Sequence, residues 1–310
     1  MRIIVTGISS YLARTLFPLL DADASIEEIR GLDIKAPSLA SDKLTFIKCD
    51  VRDAGIARHM QGCDTLIHLA FIVMPIRDES KADDINVNGS KNVFQAAAAA
   101  GVKKIIHLSS VAAYGSWPDH PPLISEDVPV RGMPNFYYSR SKAQVELYLD
   151  ELEKEHPGMV ITRFRPCIFV GPTIDNAIKD LTRSRIMFEA LGHRSRLQLV
   201  WDEDVSAAIV LALRGDFPGA YNLAGDGSLS MREMGEIMGV PTAVVPFPVA
   251  RLAIKIGWAL RLSPINEGWV EVIRKSILMD TEKAKRELGW KPAYDTEAAF
   301  RKLLQTAPRR

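Results

Sequence analysis

The chain has 310 residues, 47% of them hydrophobic, with 39 Lys+Arg against 38 Asp+Glu for a net charge of +1; it is long enough to bury a full core as two lobes or one large fold. The near-neutral balance leaves no broad basic field for nucleic acid and no acidic tail. Cys49, Cys63 and Cys167 are too few and too far apart for a disulfide framework or a CxxC zinc site, so three free thiols in a reducing compartment are expected.

Met1 opens directly on a strand-like run rather than on the basic segment and apolar core of a secretory signal, and cytoplasmic residence is the expectation. Short β-rich runs then alternate with helical patterns: "RIIVTG", "EIRGLD", "LTFIKCD", "TLIHLA", "KIIHLSS" and "VITRFRP". Such alternation predicts an α/β fold, a Rossmann-type doubly wound parallel sheet with helices on both faces. Between the first two runs, Leu12, Leu16, Leu19 and Leu20 recur at helical spacing as a stripe for the sheet, and Pro18 should bend that helix or cost it one hydrogen bond. The small-residue run Ala96 to Ala100 ends at Gly101, a helix stop.

Beyond Gly171 the alternation fades, and "RLQLVWDEDVSAAIVLAL" and "GAYNLAG" read as one more helix and strand. The expected organisation is a nucleotide-binding domain over residues 1–170, completed by about 198–224, with a smaller discontinuous substrate lobe in the rest of 171–310. Ligands of open α/β sheets bind at the C-terminal strand edge, so the cleft between lobes is the predicted active site. "VARLAIKIGWALRL", Val249 to Leu262, is interrupted by Arg251, Lys255 and Arg261 and is too short to span a bilayer; an amphipathic helix packed in the protein is expected, with no membrane partner.

A dinucleotide pyrophosphate needs backbone N–H groups and a helix N-terminus close by, and glycines permit that approach by lacking Cβ. Against the spacing TGxxGxxG the chain offers Thr6, Gly7, Ser10 and Ala13. Alanine is an accepted third residue, whereas Ser10 would be strained by about 1–2 kcal/mol if left-handed, or could donate to a phosphate if extended. Asp33 ends the second strand 26 residues after Gly7, where a carboxylate accepts from both ribose hydroxyls and repels a 2′-phosphate, favouring NAD; Lys35 leaves NADP open. Asp50 and Val51, at the end of the third strand, are candidates for the adenine side.

Ser110, Tyr138 and Lys142 are the candidate catalytic set. Tyr138 and Lys142 in "YYSRSK" lie four apart, so a helix puts both on one face, where Lys142 is expected to lower the phenol's pKa. Reducing a ketone requires a proton at oxygen as hydride reaches carbon, and an activated tyrosine supplies it or takes it back. A YxxxK spacing alone is a common accident; Tyr137 has Ser141 four residues on, which favours Tyr138.

These motifs together resemble the extended short-chain dehydrogenase/reductase family, also called the NAD-dependent epimerase/dehydratase family. "VTGISSYLA", "GLD", "CDVRD", "HLA", "NVNGSKNV", "LSSVAAYG", "YSRSK", "RFRPCIFVGP", "VWDEDVSAA", "AYNLAG" and "DTEKAKRELGW" are similar, in order, to its landmarks over nearly the whole chain. The resemblance implies that Gly7, Ser10, Tyr11 and Leu12 surround the pyrophosphate, Asp33 the ribose, Asp50 and Val51 the adenine, and Leu69 with Ala70 the middle of the cofactor. It implies Ser110, Tyr138 and Lys142 as catalytic residues, with Lys142 also on the nicotinamide ribose, and a homodimer through the helices following Asp83 and containing Tyr138.

Departures bear on the substrate. Ile168 and Val170 stand where nucleotide-sugar epimerases usually carry asparagine and tyrosine, and a diphosphate-reading arginine would align near Leu197, with Arg196 one residue off. The substrate is therefore expected to be either a sugar nucleotide or a small apolar alcohol or ketone. A non-catalytic NAD-binding sensor or scaffold is the alternative. His68, His107 and His193 form no ligand cluster and are expected to be structural, with no metal site. Cys167 is expected to be a buried packing thiol, and Trp258 and Trp269 to belong to the core of the last lobe or to line an apolar pocket.

Overall fold

A computed structural model describes residues 1–172, 177–192, 195–263, 266, 268–269 and 276–306. The first half runs β1 (Arg2–Thr6), α1 (Tyr11–Ala22), β2 (Glu28–Asp33), β3 (Leu44–Lys48), β4 (Thr65–His68), α2 (Glu79–Asp83), α3 (Gly89–Ala99), β5 (Lys104–Leu108), α4 (Tyr137–Glu155) and β6 (Val160–Pro166). There follow β7 (Ile168–Val170), α5 (Ala177–Leu181), β8 (Met187–Ala190), β9 (Arg196–Leu197), β10 (Leu199–Trp201), α6 (Asp202–Arg214) and β11 (Gly219–Leu223). The chain continues through β12 (Leu229–Ser230), α7 (Met231–Met238), β13 (Thr242–Val245), α8 (Phe247–Ala259), α9 (Glu282–Leu288) and α10 (Thr296–Thr306).

Seven strands form one sheet in the order β11-β6-β5-β4-β1-β2-β3, every neighbouring pair parallel. From β1 the chain goes to β2 and β3 on one side, then returns to β4 and proceeds to the other, so the order reverses between β1 and β4. A crevice opens beyond the strand ends at such a reversal. The central strands are apolar on both sides, which a sheet covered on both faces requires. On one face Leu12, Leu16 and Leu20 of α1 pack with Val205, Ile209 and Leu213 of α6; on the other, Val93, Phe94 and Ala97 of α3 pack with Val145, Leu149 and Leu152 of α4. Each such buried aliphatic or aromatic side chain contributes about 1.5–3 kcal/mol. A third cluster joins Val170, Met187, Leu199, Trp201, Leu229, Met234 and Phe300 beneath the short strand pairs β7–β10, β9–β12 and β8–β13.

Two local expectations, on Leu19 and on the stretch Val249 to Leu262, are corrected, and the alanine run ends at Gly101 as expected. Leu19 is not in the α1 stripe; it is 43% exposed, beside exposed Pro18, and α1 continues through the proline. A proline ring facing water omits one hydrogen bond without colliding with the core. Of the alanine run, Ala96 and Ala97 are buried and Ala99 is exposed, and Gly101 terminates it in the left-handed conformation at φ 79°. Finally, α8 is not packed into the interior: none of its side chains is buried, because its large aliphatic residues lie on the side turned away from the protein.

Candidate active site

Gly7 leaves β1 with φ 76°, and a Cβ there would lie 2.6 Å from the Ala70 amide nitrogen and 2.8 Å from the Leu69 carbonyl carbon. A glycine is required twice over, by the left-handed backbone and by this close approach. Ser10, by contrast, is extended (φ −68°, ψ 164°), and its hydroxyl accepts the Ala13 N–H at 3.4 Å as the N-cap of α1. The missing second glycine therefore carries no backbone strain. The first-turn N–H groups at Tyr11 and Leu12 are those a helix leaves without an intrahelical partner. The Tyr11 side chain turns away, donating to Asp202 and stacking on Phe169 with ring centroids 5.9 Å apart.

Asp33, at the end of β2, accepts the Ser9 N–H at 3.0 Å and the Lys35 N–H at 3.2 Å, which folds the loop onto the carboxylate. Leu69 donates its N–H to the Thr6 carbonyl and is buried, with half-buried Ala70 next along. Asp50 pairs with Arg52 at 2.7 Å, and Arg52 reaches Asp84 at 2.9 Å. The backbone carbonyl of Val51 accepts from Asn92, and these residues border a groove of about 660 Å³ lined by Asp50, Arg52, Asp53, Asp84 and Asn92.

The helix start of α4 separates the two adjacent tyrosines. Tyr137 is fully buried, its hydroxyl donating to the carbonyls of Val73 and Met74, both at 2.8 Å. Tyr138 is half-buried, its ring stacked on Trp269 with centroids 6.2 Å apart and edged by Phe71 at 5.7 Å. Burial pushes its phenol up to about 12, and the neighbouring Ser110 hydroxyl pulls the other way. Ser110 follows β5 in extended backbone, with its hydroxyl also accepting the Ala112 N–H at 3.2 Å.

Lys142 shares that helix face one turn on, but its ammonium donates to the Leu108 carbonyl at 2.6 Å and lies 3.6 Å from the Phe71 ring centroid, against 5.9 Å from the Tyr138 ring. Burial pulls Lys142 down to about 7, which Glu146 partly opposes. The expectation that Lys142 lowers the Tyr138 pKa is thus corrected: the cation is turned to a backbone carbonyl, and desolvation of the phenol prevails. Sequence reasoning also missed the support beneath. Glu146, four residues after Lys142, is completely buried and bound by Arg165, at 2.9 Å from Nε and 2.5 Å from Nη2, and by Ser109. Burial alone would raise this carboxylate, but Arg165 and Ser109 hold it below its ordinary value. The spacing Tyr138, Lys142, Glu146 was visible as a continued helical face; its partner Arg165 was not.

His68 and His107 pair across β4 and β5 with rings 5.5 Å apart. The His68 nitrogens contact the hydroxyls of Thr6 and Ser90, and burial pulls its pKa to about 3, which leaves a neutral structural ring. His193 lies outside the described residues. All three thiols are free and buried, and burial pushes that of Cys167 well up.

The NAD dependent epimerase/dehydratase family model matches residues 3–224. The chain belongs to this family. An uncharacterized protein of Mycobacterium tuberculosis is 25% identical over 314 residues, 96% of this chain and 82% of that protein. A 4-hydroxy-2-methyl-3-oxo-4-farnesyl-3,4-dihydroquinoline-1-oxide ketoreductase of Stigmatella aurantiaca is 26% identical over 339 residues, covering 99% of this chain and 97% of the ketoreductase. Among solved structures, the dTDP-glucose 4,6-dehydratase DesIV of Streptomyces venezuelae, with NAD bound, superposes with a TM-score of 0.77 at 23% identity over 99% of this chain and 96% of its own. The UDP-glucose 4-epimerase of Thermotoga maritima, with UDP-glucose, gives 0.75 at 20% identity over 99% and 98%. These two share the fold.

Within this family member the substrate-side departures have visible surroundings. Val170 is buried and Ile168 half-buried, so the strand end beyond Cys167 is apolar. Arg196 is tied to Ser228 at 2.8 Å and to Glu233 at 3.0 Å. Trp269 stands against the candidate phenol, whereas Trp258 on α8 lies under Arg77, 5.0 Å from guanidinium to ring centroid.

Proposed function

We propose that this chain is an NAD-dependent oxidoreductase that reduces a carbonyl, or oxidises the matching alcohol, in an apolar substrate, with Tyr138 as the proton donor and acceptor. The observation that carries the reading is the place of Tyr138 at the start of α4, one helical turn before Lys142 and walled by Phe71 and Trp269, while Tyr137 is sealed off by two backbone carbonyls.

The residues present fit the cofactor. A glycine cradle that a Cβ would fill, the N-terminus of α1 and a carboxylate at the next strand end are what a dinucleotide requires. Gly7, Ser10, Tyr11 and Leu12 would hold the pyrophosphate, Asp33 the adenosine ribose, Asp50 and Val51 the adenine, Leu69 and Ala70 the middle, and Lys142 the nicotinamide ribose. When bound, the nicotinamide supplies or accepts a hydride at C4. The Ser110 hydroxyl holds the substrate oxygen. The Tyr138 hydroxyl delivers a proton to that same oxygen as it gains charge, and recovers one in the reverse direction. With its pKa near 12 the phenol is protonated at neutral pH, which suits reduction.

Phe71, Phe136 and Trp269 wall the phenol, and Arg196 is already engaged, which favours an apolar carbonyl compound over a sugar diphosphate. The likeness to a ketoreductase of a farnesylated compound supports the same reading. The cleft between the sheet edge and the elements beyond residue 171 is the proposed substrate side. The test is NADH oxidation with a panel of apolar ketones and sugar nucleotides. Tyr138→Phe should lower kcat by about 10²–10⁴-fold with NADH affinity retained. NADH binding without turnover on any member of the panel would instead favour a sensor, and undiminished kcat in Tyr138→Phe would refute the assignment.

A further inference from the structure

Glu146 is a charged group to which the catalytic reading gives no part. On α4 it continues the face of Tyr138 and Lys142 by one more turn, and it is completely buried. Both of its oxygens are taken: Oε1 accepts from the Ser109 hydroxyl and from Arg165 Nε at 2.9 Å, and Oε2 accepts from Arg165 Nε at 3.0 Å and Nη2 at 2.5 Å. Arg165 carries the tie further, donating from Nη1 to the Tyr114 hydroxyl at 2.7 Å, which in turn donates to Asn222 of β11 at 2.8 Å. A buried ion pair seldom stabilises a fold more than well-packed apolar side chains of similar volume. Stability alone therefore does not account for a carboxylate at this depth.

The three residues of this α4 face meet three consecutive residues at the end of β5. The Leu108 carbonyl takes the Lys142 ammonium at 2.6 Å, the Ser109 hydroxyl donates to Glu146, and the Ser110 hydroxyl neighbours Tyr138. A carboxylate held from two sides cannot turn, so Glu146 fixes the register of α4 against this tripeptide. Its charge acts on the same neighbour. Around Lys142 stand Tyr138 on its own helix, His68 on β4, His107 on β5, and Arg163 and Arg165 on β6. Burial keeps both imidazoles neutral and the phenol protonated, while Arg163 is paired with Asp150 and Glu153. The negative charge that acts on Lys142 against the cost of burial comes from Glu146. We propose that Glu146 is a positioning residue for the candidate catalytic set, locking α4 against Leu108, Ser109 and Ser110 and supplying the negative charge one helical turn from Lys142. The proposal rests on the catalytic reading of Tyr138 and Lys142, because Glu146 acts through Lys142.

The experiment compares the wild-type chain with two variants. Ser109→Ala removes one hydroxyl and keeps the ion pair; Glu146→Gln combined with Arg165→Gln removes both charges together, so that neither is left buried alone. Circular dichroism checks that each folds. The Lys142 titration is followed by carbon NMR of ¹³C-lysine protein, its signal assigned by loss in Lys142→Met, and kcat and KM are measured with the apolar ketone that wild type turns over. In the double variant the Lys142 midpoint should move to lower pH by at least about half a unit. In both variants kcat at neutral pH should fall by about ten-fold while KM for the ketone stays within about three-fold. An unmoved Lys142 midpoint in the folded double variant overturns the proposal, and so does wild-type kcat in both variants. Ser109→Ala carries the kinetic half alone if the double variant does not fold. A wild-type chain without turnover on any ketone refutes the catalytic reading instead; the titration, which needs no substrate, then still decides whether Glu146 acts on Lys142.

Discussion

At the scale of single residues, two neighbours of the same type have opposite surroundings. Tyr137→Phe removes a buried donor from two carbonyls, so unfolding stability should fall by about 1–3 kcal/mol in urea titration while kcat stays near wild type; a large loss of kcat would show that the register is wrong. Lys142 gives a second expectation with a definite sign. Its folded pKa of about 7 lies below the ordinary value of 10.5, so the folded chain gives up this proton first. Between those values the unfolded chain binds one proton more, and stability rises with pH by about 1.4 kcal/mol per unit. Below the folded value both states are protonated and the burial cost is present in full. Lys142→Met should therefore be more stable than wild type near about pH 6, with the gap closing as pH rises towards about 9; a gap independent of pH would refute the depressed value. Spacing made Ser110, Tyr138 and Lys142 legible because a helix repeats every four residues and a strand end faces the crevice. The direction taken by the Lys142 ammonium was not legible, since Leu108 and Phe71 reach it from other segments.

At the scale of elements, the turn from β1 into α1 shows why counting glycines misleads. What the backbone requires is a positive φ and contact with Ala70 at Gly7, and an ordinary extended cap at Ser10. Ser10→Ala should lower stability by about 1 kcal/mol through the lost cap, whereas Gly7→Ala combines left-handed strain with a backbone collision and should cost more and abolish NADH binding. Asp33 can be tested without opening the loop. Asp33→Asn keeps an acceptor for the Ser9 N–H but removes the charge, so NAD affinity should fall by about ten-fold while NADP affinity holds or rises; equal loss of both would show that Asp33 does not read the ribose. The helical period of Val249 to Leu262 was equally plain in sequence, yet periodicity names an apolar side without saying what covers it. Only the fold shows that side of α8 facing away from the core.

At the scale of the whole molecule, alternation of strand and helix was enough to anticipate a parallel sheet, because a crossover helix is the short route between parallel neighbours. The pairs β7–β10, β9–β12 and β8–β13 were not legible, as strands of two to four residues carry little pattern and find partners remote in sequence. The same scale holds the question of assembly. On the side opposite α1 and α6, α4 exposes Gln144, Glu151 and Leu147, the last at 51%, beside Tyr148 with the Lys91 ammonium 5.5 Å from its ring centroid. A two-fold contact of α3 and α4 with their images would make a four-helix interface and cover Leu147. Light scattering should then give twice the chain's mass, and Leu147→Glu, which sets a carboxylate against its own image, should return the monomer. A wild-type monomer at micromolar concentration would dispose of the dimer.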